Sequence, residues 1–172
     1  MWLVGLLGLC VGSFLNVLID RLPKSQSVMY GRSHCDFCKK TLRWYELVPV
    51  LSFILQRGRC RRCHKKLSWQ YPIVELVTGI GFAFLFFYFS YSLIRLFAYS
   101  LIFSSLLVIF FADLKYQIIP DRVQMAFLLF SLIVLLLQGM DGKTIVLRVF
   151  EGFLIASPLM FLYLFTGGKG MG

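Results

Sequence analysis

Apolar residues run along this chain in long blocks, broken at only a few places. Residues 1–19 are apolar apart from Ser13 and Asn16, and after a polar interval apolar runs return over 73–91, 96–112, 123–137 and 144–165. About 20 residues of helix cross a hydrocarbon core of about 30 Å. The pattern therefore predicts about five transmembrane helices, with a tight turn near Arg95 and another over 139–143. Gly5, Gly8 and Gly12 recur at helical spacing in the first block, which predicts a closely packed neighbour helix. Asp20-Arg21-Leu22-Pro23 stops that block, and Pro72 stands where a helix start tolerates it. The first block lacks the basic flank and small-residue cleavage site of a secretory signal.

Composition makes the membrane reading firm. The 172 residues are 59% hydrophobic and only 15% charged, and the mean hydropathy is +0.78. Soluble domains carry about a quarter charged residues, so these charges are too few to coat a soluble surface. The fold class is an all-α multi-span membrane protein with one small polar unit. Its organisation reads as a first span (1–19), a loop (20–72) and a membrane core of four spans (73–172).

The net charge of +10 is concentrated in that loop. Twelve lysines and arginines face three acids between Asp20 and Pro72, whereas the remaining residues hold six bases and five acids. A basic surplus between two apolar runs marks the cytosolic side. A nucleic-acid surface could carry the same charge, but membrane topology accounts for it more simply. The lipid bilayer is the expected partner, and no nucleic acid is.

The loop carries Cys35-x2-Cys38 and, 21 residues further on, Cys60-x2-Cys63. Two such turns complete a tetrahedral sulfur shell, so the spacing predicts a zinc ribbon. Paired disulfides are the rival, but cytosolic thiols stay reduced. His34 and His64 adjoin ligand cysteines and are expected outside the metal shell. Cys10, inside the first span, reads as a small core residue. Val50 to Leu55 reads as a short amphipathic piece on the membrane surface, with Trp44, Trp69 and Tyr71 in the interfacial belt.

The block ending at Ala112 runs straight into Asp113. A carboxylate in the last turn of a helix opposes the negative end of the dipole, so Asp113 calls for a chemical reason. Asp121 follows Pro120 and precedes an apolar run, as a helix N-cap does; it is also the alternative acid partner for Asp113. Glu75 is expected in the first turn of its helix, where the dipole favours it. Asn16 suits either a hydrogen bond to a neighbouring helix or a role at the site. Arg148 and Glu151 are spaced to pair on one helical face.

Several stretches in order resemble the bacterial prepilin peptidases, the type IV leader peptidases of the GxGD class of membrane aspartic proteases. They are Gly12-Ser13-Phe14-Leu15-Asn16-Val17 with Arg21-Leu22-Pro23, the paired cysteines, Pro49-Val50-Leu51-Ser52, Gly58-Arg59-Cys60, Tyr71-Pro72 with Glu75, and Asp113 with Ile119-Pro120-Asp121. The resemblance implies an aspartic endopeptidase of the bacterial inner membrane with its active site facing the cytosol. Its substrates would be type IV prepilins and type II secretion pseudopilins, cut after their basic leader. It also implies N-methylation of the new N-terminus from S-adenosylmethionine, linked to the cytosolic loop. Asp113 matches one catalytic aspartate, and Asn16 and Arg21 are supporting candidates. The other aspartate belongs to a G-x-G-D motif, whose lead-in Gly167 to Gly172 resembles, with Gly170 and Gly172 as its glycines. Its aspartate is expected beyond Gly172, so residues 1–172 are expected to hold half of the protease site and to be inactive alone. Two other readings are a truncated or inactive remnant and a membrane-anchored zinc-ribbon binding module without catalysis.

Overall fold

The structure is a computed structural model that describes residues 2–28, 31–35, 37–139 and 142–166; Gly170 and Gly172 of the glycine loop lie outside them. Its elements are α1 (Trp2–Arg21), a 3-10 turn (Trp44–Leu47), α2 (Leu51–Leu55), α3 (Gln70–Phe89), α4 (Leu93–Tyr116), α5 (Asp121–Leu137) and α6 (Gly142–Thr166). Long helices thus stand at each of the five apolar blocks. Among the described residues α1, α3 and α4 are each long and apolar enough to cross a membrane. The next helix, α5, has 17 residues and α6 has 25.

The helix ends correct several expectations. The connection from α3 to α4 lies at Ser90–Ser92, and Arg95 belongs to the first turn of α4. Because α3 opens at Gln70, before Pro72, Glu75 stands in the second turn rather than the first. It is also buried, so the dipole account does not explain it. Cys10 is exposed on α1 instead of packed in the core.

Contacts divide the chain into two compact units, Met1–Phe130 and Ser131–Gly172. In the first, α1 and α3 approach until little more than glycine fits between them. A Cβ on Gly12 would stand 2.7 Å from the Glu75 Cα, and one on Gly8 would stand 2.8 Å from the Thr78 carbonyl oxygen. Small residues are what permit such approach where lipid removes the hydrophobic drive between helices. Leu15, Ile19, Val74, Leu107, Val108 and Val123 form the core around this contact. Thr78, Ser100, Ser104 and Ser105 each donate to the carbonyl four residues back, which satisfies hydroxyls that water cannot reach. Large apolar side chains such as Ile80, Phe87 and Phe97 remain exposed, as a bilayer requires. In the second unit, Arg148 pairs with Glu151 at 3.0 Å, as their spacing predicted.

Candidate functional site

The four ribbon cysteines come together from two turns of the same construction. In the first, the Cys35 N–H donates to the Lys40 carbonyl and the Lys39 N–H returns to Cys35; in the second, Cys60 and Lys65 make the first bond and His64 and Cys60 the other. Lys39 and His64 occupy equivalent left-handed positions, with φ of 56° and 55°. The bridges His34–Thr41 and Arg59–Lys66 close the two turns in the same way. One backbone device, repeated, thus presents two sulfurs each time.

All four Sγ atoms lie within 4.8 Å of one another, and none is in a disulfide. Cys35 and Cys63 are 3.8 Å apart. Zinc–sulfur bonds of about 2.3 Å in a tetrahedron put sulfurs about 3.8 Å apart, so the donor set fits a four-thiolate ion. The Cys63 and Arg62 backbone N–H groups bring Cys60 down to about 7, while burial pushes Cys35 up to about 11. A dication replacing the thiol protons would favour both thiolates. His34 and His64 are exposed and stand outside this cluster.

Among the described residues, Arg21, Val50 and Phe53 each make a contact that attaches the ribbon to the helices. Arg21, the last residue of α1, donates to the carbonyls of Ser27, Gly31 and Arg32, so it organises the chain leading into the first cysteine turn. The Val50 N–H donates to Glu75 Oε2 at 2.7 Å, although Val50 is held at φ 60°, a backbone that β-branched residues rarely adopt. Phe53 of α2 packs on Trp69, just before α3, with ring centroids 5.0 Å apart.

Asp113 lies in the last turn of α4, exposed, on the helix face that also exposes Leu106 and Phe110. Gln117, in the left-handed conformation, caps the helix by donating to the Asp113 carbonyl at 2.8 Å. Asp121 follows across a four-residue connection, also exposed. It is the first residue of α5, and the Pro120 carbonyl ahead of it accepts from Gln124. Asp121 therefore favours α5 through the dipole of the first turn, one position later than a cap. Asn16 donates to the Tyr71 carbonyl at 3.1 Å, joining α1 to α3 as its helix-bridging reading had it.

The sequence marked Asp20 only as part of the stop after the first apolar block. Asp20 Oδ1 accepts from Lys115 Nζ at 2.5 Å and from the Tyr116 hydroxyl at 3.0 Å, while Oδ2 accepts from the Tyr71 hydroxyl at 3.0 Å. This single carboxylate ties together the ends of α1, α3 and α4, two residues beyond Asp113. Tyr71 is therefore half-buried in a network and not only an interfacial ring, whereas Trp44 and Trp69 are exposed. The available signal was the one that singled out Asp113, an acid in a helix's last turn against the dipole. Asp20→Asn keeps the shape and removes the charge, and it is expected to cost about 2 kcal/mol. Thermal unfolding in detergent measures this; an unchanged midpoint would show that the network contributes nothing.

The first half of the chain matches a family model described as the bacterial peptidase A24 N-terminal domain, over residues 6–89. The chain is 40% identical over 143 residues to a prepilin leader peptidase/N-methyltransferase of Myxococcus xanthus, covering 79% of this chain and 40% of that protein. It is 37% identical over 135 residues to the Bacillus subtilis protein of the same name, covering 78% and 54%. Against the Neisseria gonorrhoeae protein of that name it is 31% identical over 201 residues, covering 99% of this chain and 68% of the relative. The match thus spans roughly half the length of the first two relatives. No solved structure matches the chain. Helices that can span a membrane, a four-sulfur cluster, and similarity along nearly the whole length agree: the chain belongs to the bacterial prepilin leader peptidase/N-methyltransferase family.

Proposed function

We propose that this chain works in the cleavage of the basic leader from prepilins and pseudopilins at the cytosolic face of the bacterial inner membrane, with Asp113 as one of two catalytic acids. The observation that carries this reading is the exposed Asp113 carboxylate at the end of a helix long enough to span the membrane. Two carboxylates sharing a proton divide the labour: one takes a proton from water, and the other donates to the scissile carbonyl. In the family's pattern the other acid is the aspartate of a G-x-G-D motif, whose lead-in Gly170 and Gly172 resemble, and glycines there let the backbone approach an extended substrate closely. Asp20 and its partners act as positioning residues, because they hold the α4 end on which Asp113 sits.

The cysteine ribbon, in this reading, holds one zinc through Cys35, Cys38, Cys60 and Cys63. The ion keeps a loop with little core of its own folded against α3. S-adenosylmethionine would supply the methyl group for the new N-terminus. The loop's surplus of basic residues supports a cytosolic position. Membranes containing the gene-encoded protein should shorten a prepilin by its leader, and mass spectrometry should find the new N-terminus methylated when S-adenosylmethionine is present. Intact precursor beside zinc-loaded protein would defeat the proposal.

A further inference from the structure

We infer that the cleft between α2 and the second cysteine turn binds the headgroup of an anionic glycerophospholipid. Its volume is about 720 Å³, and its lining includes Arg57, Arg59 and Arg61 with Tyr45, Gln56 and Leu55. The three guanidinium groups are exposed, and none pairs with a carboxylate among the described residues. Arg61 lies over the Tyr45 ring at 5.5 Å, so its cationic plane is held by an aromatic face rather than by an acid. Guanidinium forks match the oxygens of a phosphate two at a time.

The depth of the cleft decides which phosphate. The bond from Val50 to Glu75 pins the start of α2 to the sixth residue of α3, a membrane-spanning helix. At about 1.5 Å per residue, that anchor lies about 8 Å from the helix start. The Phe53–Trp69 contact holds the other side of α2 at the same helix end. Since α2 forms one wall of the cleft, the arginines stand at headgroup level. Leu51, Ile54 and Leu55 are exposed on α2, with Trp44 and Trp69 exposed nearby. This places an apolar shelf beside a cationic cleft. A phosphate that carries acyl chains satisfies both, whereas free phosphate or a nucleic acid satisfies only the charge. A zwitterionic headgroup brings its own ammonium among the guanidiniums, so a net negative lipid is preferred.

The test uses the purified full-length protein in micelles holding equal phosphatidylglycerol and phosphatidylcholine, with retained lipid counted by native mass spectrometry. The expected result is retention of phosphatidylglycerol over phosphatidylcholine. Arg57→Gln/Arg59→Gln should lower that retention on the order of tenfold. Lys39→Gln/Lys40→Gln removes the same charge from the other cysteine turn and should keep the preference. Equal retention of the two lipids, or equal loss in both double variants, overturns the site. Displacement of the lipid by inorganic phosphate would make a free anion the ligand, and displacement by a short RNA would make this a nucleic-acid surface; either result also overturns it. Zinc content reports folding of each variant. If the glutamine pair loses its zinc, Arg61→Gln measured in the same way decides the question.

Discussion

Asp113→Asn in the gene-encoded protein is expected to lower prepilin cleavage on the order of a thousandfold, because an amide can neither accept nor share the proton. Fold and assembly should survive the change. Asp113 is exposed, and it is the backbone carbonyl, not the carboxylate, that receives the capping N–H of Gln117. The substitution is nearly isosteric, so the loss can be assigned to chemistry if the unfolding midpoint and zinc content are unchanged. Asp121→Asn is the matched control. That residue stands in the first turn of α5, where loss of the charge costs only about 0.3–1 kcal/mol of dipole interaction, so substantial cleavage should remain. The paired measurement is a time course of precursor and mature pilin for each variant at equal protein. If Asp121→Asn were the silent enzyme and Asp113→Asn the active one, the catalytic assignment would have to be exchanged.

Removing the metal should have the second large effect. The loop from Ser33 to Leu67 is held by two cysteine turns, two isolated bridges and the contacts of Val50 and Phe53 with the start of α3. Among the described residues of the ribbon, the buried hydrophobic ones are Cys35, Cys60 and Phe53, so it has little core of its own. Structural zinc binding contributes on the order of 10 kcal/mol to folding such a unit. Chelation, or Cys60→Ser, is therefore expected to open the loop to limited proteolysis and to abolish bound zinc. The helices should stay intact, since Leu15, Ile19, Val74 and Val108 pack without help from the ribbon. Metal analysis together with the proteolytic pattern reads both outcomes. A Cys60→Ser protein that still carried one zinc would disprove the four-sulfur site.

Local patterns carried far in this chain. An apolar block of about 20 residues has one stable solution in a bilayer, because every backbone N–H and C=O must be satisfied inside the segment. The long helices could therefore be placed from hydropathy alone. The paired cysteines were legible for a similar reason: a two-residue spacing is itself a geometry, and the turns at Lys39 and His64 realise it twice. Gly8 and Gly12 announced a close neighbour without saying which one, and the fold supplied α3.

What only the tertiary structure decided was which polar groups meet. Asp20 and Lys115 are 95 residues apart, and Glu75 and Val50 are 25 apart. Each pairing depends on how the helices rotate about their axes and how far one slides along another, and a hydropathy window averages over those quantities. Glu75 shows the difference: its sequence neighbourhood called for a dipole explanation, and the fold made it the buried acceptor for a strained loop. The same holds for the arginines beside α2, which read as scattered positive charge along the chain and become a cleft only once Val50 and Phe53 seat α2 against α3. Composition and spacing act through the chain's own local geometry, so they determined the class, the helices and the four-sulfur cluster. The contacts among distant side chains come from packing, and packing exists only in three dimensions.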